Sequence, residues 1–212
     1  GLAQYTRLPV DACIPLPSGV SVAQAGTMGV PLVTAACAIA KANIQAGETV
    51  AVTGANGQVG RFLMQIARWK GAKTIAIVRR NLTLPWADLV VDTSQGDLVE
   101  TLREVIPTVN TVVDCVGIDT GRFIDVLAPH GRLVVLAAKS PSASFPLPIR
   151  QFYRKDLTLH STETMQHSAS RSAEIIRGVM PGFESGALTA PSLHHEVFEL
   201  ARAREAYALV GS

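Results

Sequence analysis

Thr49-Val50-Ala51-Val52-Thr53-Gly54-Ala55-Asn56-Gly57-Gln58-Val59-Gly60, continued by Arg61-Phe62-Leu63-Met64-Gln65-Ile66-Ala67-Arg68-Trp69, is the stretch that decides the fold. A short apolar run ends in glycines, and a helical pattern starts at once. Phe62, Leu63, Ile66 and Trp69 recur at helical spacing, and Gly71 follows as the stop. A strand, a glycine turn and a helix in this order suit a dinucleotide pyrophosphate. The first glycine permits the tight turn. Gly57 has no side chain, so backbone can approach the phosphates. Gly60 lets the helix pack close to the strand, and the helix N-terminus offers unpaired N–H groups to the anion. Gly54, Gly57 and Gly60, with Ala55, Asn56, Gln58 and Val59 between them, are therefore candidate cofactor-binding residues. The same turn also closes α/β domains that hold no ligand. Here the strand expected next, 73–78, follows in its proper place.

Further strands are expected at 89–91, 111–115, 132–136 and 157–159. Their apolar runs are continuous, which is the pattern of strands buried on both faces of a parallel sheet. The fold class expected is α/β: a doubly wound, parallel, six-stranded Rossmann sheet in the order 3-2-1-4-5-6. Its ligand would lie at the carboxyl ends of the strands, at the switch between the first and fourth. Pro129, His130 and Gly131 read as the joint before the fifth strand. Residues 30–42 read as a buried helix, 140–148 as an extended loop and 197–210 as an amphipathic helix.

The tip of the second strand is Val78-Arg79-Arg80-Asn81, without Asp or Glu. An acidic residue there bonds the ribose hydroxyls of NAD, whereas a basic one accommodates the 2′-phosphate of NADP. Arginine presents a planar fork of donors suited to phosphate. Arg79 and Arg80 therefore point to NADP(H), against the plainer reading of two solvated arginines at a strand end.

Composition excludes several classes. The chain has 212 residues, is 48% hydrophobic and 17% charged, and carries a net charge of +2. Disordered chains are poorer in apolar residues. A near-neutral charge gives no electrostatic case for a nucleic-acid or membrane-surface partner. Cys13, Cys37 and Cys115 are odd in number and widely spaced, which fits a reducing cytoplasm rather than a disulfide scaffold. The opening Gly1-Leu2-Ala3-Gln4-Tyr5-Thr6-Arg7 lacks the basic and apolar halves of a signal peptide. No uninterrupted apolar run reaches the roughly 18 residues of a membrane span.

With these residues in place, the chain resembles the medium-chain dehydrogenase/reductase superfamily, most closely its zinc-independent quinone oxidoreductase branch. Gly54 to Gly60 is similar to that branch's Gly-Ala-Ser-Gly-Gly-Val-Gly loop. Leu32-Val33-Thr34-Ala35 resembles its Leu-Thr-Ala helix start. Asp114-Cys115-Val116-Gly117 and Leu127-Ala128-Pro129-His130-Gly131-Arg132-Leu133-Val134 resemble its fourth and fifth strands. The short-chain reductases share the glycine pattern, but none of Tyr5, Tyr153 or Tyr207 has a Lys four residues on, as their chemistry needs. The resemblance implies residues 1–28 as a remnant of a catalytic, GroES-like domain otherwise missing. It implies 29–165 as the NAD(P)-binding domain and 166–212 as a C-terminal helical return segment. It implies contacts near the nicotinamide from Thr34, Cys115, Val116, Gly117 and Leu136. The implied activity is NADPH-dependent reduction of a small-molecule carbonyl, namely a quinone, an enone or another conjugated carbonyl. A homodimer through the edge of the sixth strand is a further expectation. Alternatives are a zinc-type alcohol dehydrogenase and a non-catalytic NADP(H)-binding module.

One departure is local. Only Asn81-Leu82-Thr83-Leu84-Pro85-Trp86-Ala87-Asp88 joins the second strand to the third, and Pro85 would obstruct a helix there. No catalytic residue can be assigned from the sequence. No metal site is expected: Gly29 stands where the zinc branch has a cysteine ligand, and His160, His167 and the adjacent His194 and His195 lack partners at ligand spacing. Cys115, at the end of a buried strand, reads as an inert small hydrophobe. Arg154 and Lys155 read as a solvated loop rather than as phosphate ligands.

Overall fold

A computed structural model describes residues 3–80, 82–94, 96–193 and 197–210. In chain order the elements are helix α1 (Val22–Lys41), strand β1 (Thr49–Thr53), helix α2 (Gln58–Trp69), strands β2 (Lys73–Val78) and β3 (Leu89–Asp92), helix α3 (Leu98–Val105) and strand β4 (Val109–Asp114). A 3-10 turn (Thr120–Asp125), strand β5 (Leu127–Val135), helix α4 (Ile149–Arg154) and strand β6 (Thr158–Ser161) follow. Helices α5 (Ala169–Arg177), α6 (Met180–Glu184) and α7 (Ala203–Val210) close the chain. The strands form one parallel sheet in the order β3-β2-β1-β4-β5-β6. That is the order expected of a doubly wound Rossmann sheet.

Two cores flank the sheet. On one face Phe62, Leu63 and Ile66 of α2 pack with Ala35, Ala38 and Ile39 of α1 against Val50 and Val52. On the other, Val99 and Leu102 of α3 pack with Phe123 and Ile124 against Ile75, Val112 and Leu133. Val50, Val52 and Val112 are wholly buried. Strands so placed have no polar face, which explains why their sequences do not alternate.

Several expectations shift. Helix α1 starts upstream of the apolar run, where Ser21 and Gln24 form a reciprocal capping box, and it contains Pro31. By length and hydropathy this helix is long and apolar enough to cross a membrane, although 44% of the relevant window is buried inside the protein. β4 ends at Asp114, so Cys115 belongs to the turn that follows. β5 begins earlier than expected. Its register against β4 jumps between Leu127 and Arg132, so Pro129-His130-Gly131 is an irregularity within the strand and not a joint before it. Gly131 is required there: a Cβ would stand 2.7 Å from the Ala128 carbonyl oxygen. β6 is displaced to Thr158–Ser161, and Leu157 is buried ahead of it. The final helical segment starts at Leu200, not at 197: Val197 is 84% exposed, so no apolar contact draws it into the helix.

Residues 82–88 contain no helix, as Pro85 implies. The short crossover is held by polar bonds instead. The Asp88 carboxylate accepts the Thr74 amide at 2.8 Å, and the Thr74 hydroxyl donates to the Trp86 carbonyl at 2.8 Å. Leu84 fills part of the core that a helix would otherwise cover.

Candidate functional site

The glycine turn lies between β1 and α2. Gly54 has φ +60°, a left-handed conformation that favours glycine. The Gly57 amide donates to the Gly54 carbonyl at 2.9 Å and closes the turn. Gly57 is the N-cap of α2, and no side chain caps that helix. Gly60 faces the turn so closely that a Cβ would stand 2.4 Å from the Gly54 oxygen. Gly54 thus makes the tight turn and Gly60 the close helix-to-turn packing read from their spacing. The uncapped helix start and the bare turn fit an anionic group.

Above the turn is a cavity of about 400 Å³ at the carboxyl ends of β1, β2 and β4. Gly54 and Asn56 line it from the turn, Arg79 and Arg80 from the end of β2, and Val116 from the turn after β4. Five of the residues singled out in the sequence therefore meet around one space. Ala55 is fully buried beneath the turn, and Val59 packs into the core. Gln58 instead reaches a small crevice beside Arg61 and Trp86. Asn81, His194 and His195 lie outside the described residues.

Of the residues implied near the nicotinamide, Cys115, Val116 and Gly117 are consecutive in the turn after β4, and the Leu136 amide donates to the Asp114 carbonyl at 3.0 Å beside that turn. The Thr34 hydroxyl lies 3.2 Å from that of Thr164, in the segment that follows β6. Cys115 and Leu136 pack against the core shared by α1 and α2. Burial pushes the Cys115 thiol up to about 12, with the Asp114 charge adding to it, so the thiol stays protonated at neutral pH. Gly117 has φ +72° and lines a second cavity, of about 700 Å³, with Phe145 and Leu147.

The structure adds residues that sequence reasoning missed. Asp97 lines the cavity beside the arginines. It caps α3 by accepting the Val99 and Glu100 amides, each at 3.0 Å, and it pairs with Arg122. An Asp before an apolar run is an N-cap signal, so α3 and its cap were legible locally. The Arg122 partnership was not. Lys155 is neither a phosphate ligand nor solvated: its ammonium donates to the carbonyls of Ile124, Asp125 and Leu127 at 2.7–3.1 Å. Among the described residues no three His, Cys, Asp or Glu side chains converge as metal ligands.

A sequence model described as zinc-binding dehydrogenase matches residues 59–178. The chain belongs to the medium-chain dehydrogenase/reductase superfamily. It is 30% identical over 187 residues to a zinc-type alcohol dehydrogenase-like protein of Schizosaccharomyces pombe, covering 87% of this chain and 56% of that protein. It is 29% identical over 171 residues to acryloyl-coenzyme A reductase of Metallosphaera sedula, covering 76% of this chain and 50% of the reductase. The chain thus spans about half the length of these curated relatives. Among solved structures, the quinone oxidoreductase of Thermus thermophilus, studied alone and with NADPH, superposes with a TM-score of 0.80 at 25% identity. That superposition covers 99% of this chain and 69% of the oxidoreductase. This medium-chain dehydrogenase/reductase chain is therefore of an oxidoreductase family, and the family's description as zinc-binding does not itself supply ligands here.

Proposed function

We propose that this chain is the cofactor-binding part of an NADPH-dependent oxidoreductase that reduces a quinone, an enone or another conjugated carbonyl. The observation that carries the cofactor reading is the convergence of Arg79 and Arg80 with Gly54 and Asn56 on one cavity. The uncapped start of α2 would receive the pyrophosphate, and the guanidinium forks would hold the 2′-phosphate. Two carboxylates share the cavity, Asp119 and Asp97, and Asp97 is already engaged by Arg122 and by two amides. A bound nicotinamide supplies the hydride, so the chain's contribution is to bind and orient it. The carbonyl class draws on the names of the Thermus and Metallosphaera relatives.

The test is a calorimetric titration of the chain with NADPH and with NADH. NADPH is expected to bind more tightly, and Arg79→Ala to lower that preference about tenfold, the worth of one charge-assisted hydrogen bond. Equal affinity for both dinucleotides would refute the NADPH assignment.

A zinc-type alcohol dehydrogenase is the second reading, favoured by the family description and by the Schizosaccharomyces relative. Atomic absorption distinguishes the two: zinc bound at one ion per chain would favour this reading over the first.

A further inference from the structure

Asp114 ends β4 with its side chain wholly buried. Its Oδ1 accepts the Thr53 hydroxyl at 2.7 Å and the Val116 and Gly117 amides, each at 3.1 Å. Its Oδ2 accepts the Thr120 hydroxyl at 2.6 Å. The Thr53 hydroxyl in turn accepts the Cys115 amide at 2.9 Å. Directly or through Thr53, one carboxylate therefore fixes three successive amides of the turn leaving β4.

Backbone pairing between β1 and β4 stops one residue earlier, at Val52 and Val113. Beyond that point the side-chain bond from Thr53 to Asp114 joins the two strands. This is where the strand order reverses and the crevice opens. Thr53 and Gly54 form one wall of the 400 Å³ cavity, and Val116 and Asp119 another. The walls nearly touch: a Cβ on Gly54 would stand 3.1 Å from Cγ2 of Val116. The far end of the turn abuts the chain leaving β5, where a Cβ on Gly117 would stand 2.6 Å from both the Ala137 oxygen and the Ala138 Cα. The turn after β4 is thus packed at one end against the glycine turn and at the other against the chain leaving β5.

We propose that Asp114 is a positioning residue for the cofactor: its carboxylate sets the width of the crevice between the glycine turn and the Val116 wall. The binding consequence rests on the NADPH reading above, while the clasp itself is measurable without ligand. Asp114→Asn keeps the three bonds to Oδ1, and the Thr120 oxygen can accept from the new amide nitrogen. Asp114→Ala removes them all and leaves buried donors unpaired.

Two measurements on the chain test this. In the free protein, hydrogen exchange at the Cys115, Val116 and Gly117 amides is expected to rise at least about tenfold in Asp114→Ala and to stay near the parent in Asp114→Asn. With NADPH, the Kd is expected to rise at least about tenfold in Asp114→Ala and to stay within about threefold in Asp114→Asn. Val109→Ala, at the opposite, amino end of β4, controls for general loss of stability and is expected to leave the Kd unchanged. If Asp114→Ala does not fold, Thr53→Val replaces it, since it deletes the central hydroxyl at constant shape. Parent-like exchange at the three amides would overturn the clasp. Parent-like NADPH affinity in Asp114→Ala, or an equal loss in Val109→Ala, would overturn its role in binding. A parent chain that binds neither NADPH nor NADH, with the exchange pattern as expected, would overturn the cofactor reading and the binding role with it while confirming the clasp.

Discussion

The guanidinium of Arg122 closes on the carboxylate of Asp97 through two bonds, at 2.5 and 2.8 Å. The pair joins the start of α3 to the turn after β4, at the rim of the candidate cofactor cavity. The Arg122 bond, with the Glu100 amide next, holds the Asp97 carboxyl at about 2, below its ordinary value of 3.8. Because the folded value lies below the unfolded one, the stability it contributes is complete above about pH 4 and is lost as pH falls through about 2. Thermal melts between pH 6 and pH 2 are expected to show a smaller acid-induced fall in Tm for Asp97→Asn than for the parent. Parallel curves would contradict the assignment.

Gly60 and Gly29 make opposite predictions for the same substitution. Gly60→Ala drives a methyl to 2.4 Å from the Gly54 oxygen and 2.7 Å from the Ala55 Cα, both backbone atoms. Neither can retreat without opening the turn, so a loss of about 1–3 kcal/mol is expected. Gly29 lies in α1 with nothing within 4 Å of its would-be Cβ. Gly29→Ala is expected to raise stability by about 0.5–1 kcal/mol, because alanine is the better helix former. Urea unfolding of the two variants gives both signs in one experiment.

The cysteines should differ in reactivity by position. Cys13 is exposed, Cys37 is buried, and burial raises the Cys115 thiol to about 12. Iodoacetamide at neutral pH is expected to label Cys13 first and to leave Cys115 unmodified in the folded chain, as read by peptide mass spectrometry. Prompt labelling of Cys115 would mean that the end of β4 opens readily.

Among the described residues β6 borders only β5, and its outer edge has no partner strand there. An open edge invites pairing with a second copy, and Leu159 on that strand is 43% exposed. We propose a homodimer across this edge. Light scattering is expected to give the mass of a dimer for the parent and of a monomer for Leu159→Asp. A monomeric parent at high concentration would rule the dimer out.

Much of this protein was determined locally by its sequence. Continuous apolar runs can be satisfied only between two helical layers, and Thr53 to Gly60 permits one kind of turn. Pro85 bars a helix from the crossover by lacking an amide hydrogen. Arg79 and Arg80 stand at a strand tip wherever that strand ends. What the tertiary structure decided are pairings between residues remote along the chain. Asp114 reads as the polar end of a strand until β1 brings Thr53 to it across a separation of 61 residues. Arg122 carries no local signal in the sequence, and the 3-10 turn after β4 brings it to Asp97, 25 residues away. Lys155 reads as a solvated loop residue until the carbonyls of Ile124, Asp125 and Leu127, from the end of the 3-10 turn and the start of β5, receive its ammonium. Leu136 reads as the end of a strand until its amide meets the Asp114 carbonyl, 22 residues away, beside the turn after β4. Periodicity, capping and glycine spacing are properties of neighbours, so a sequence displays them. Which carboxylate meets which hydroxyl depends on strand order and crossover length, and only the folded sheet sets those.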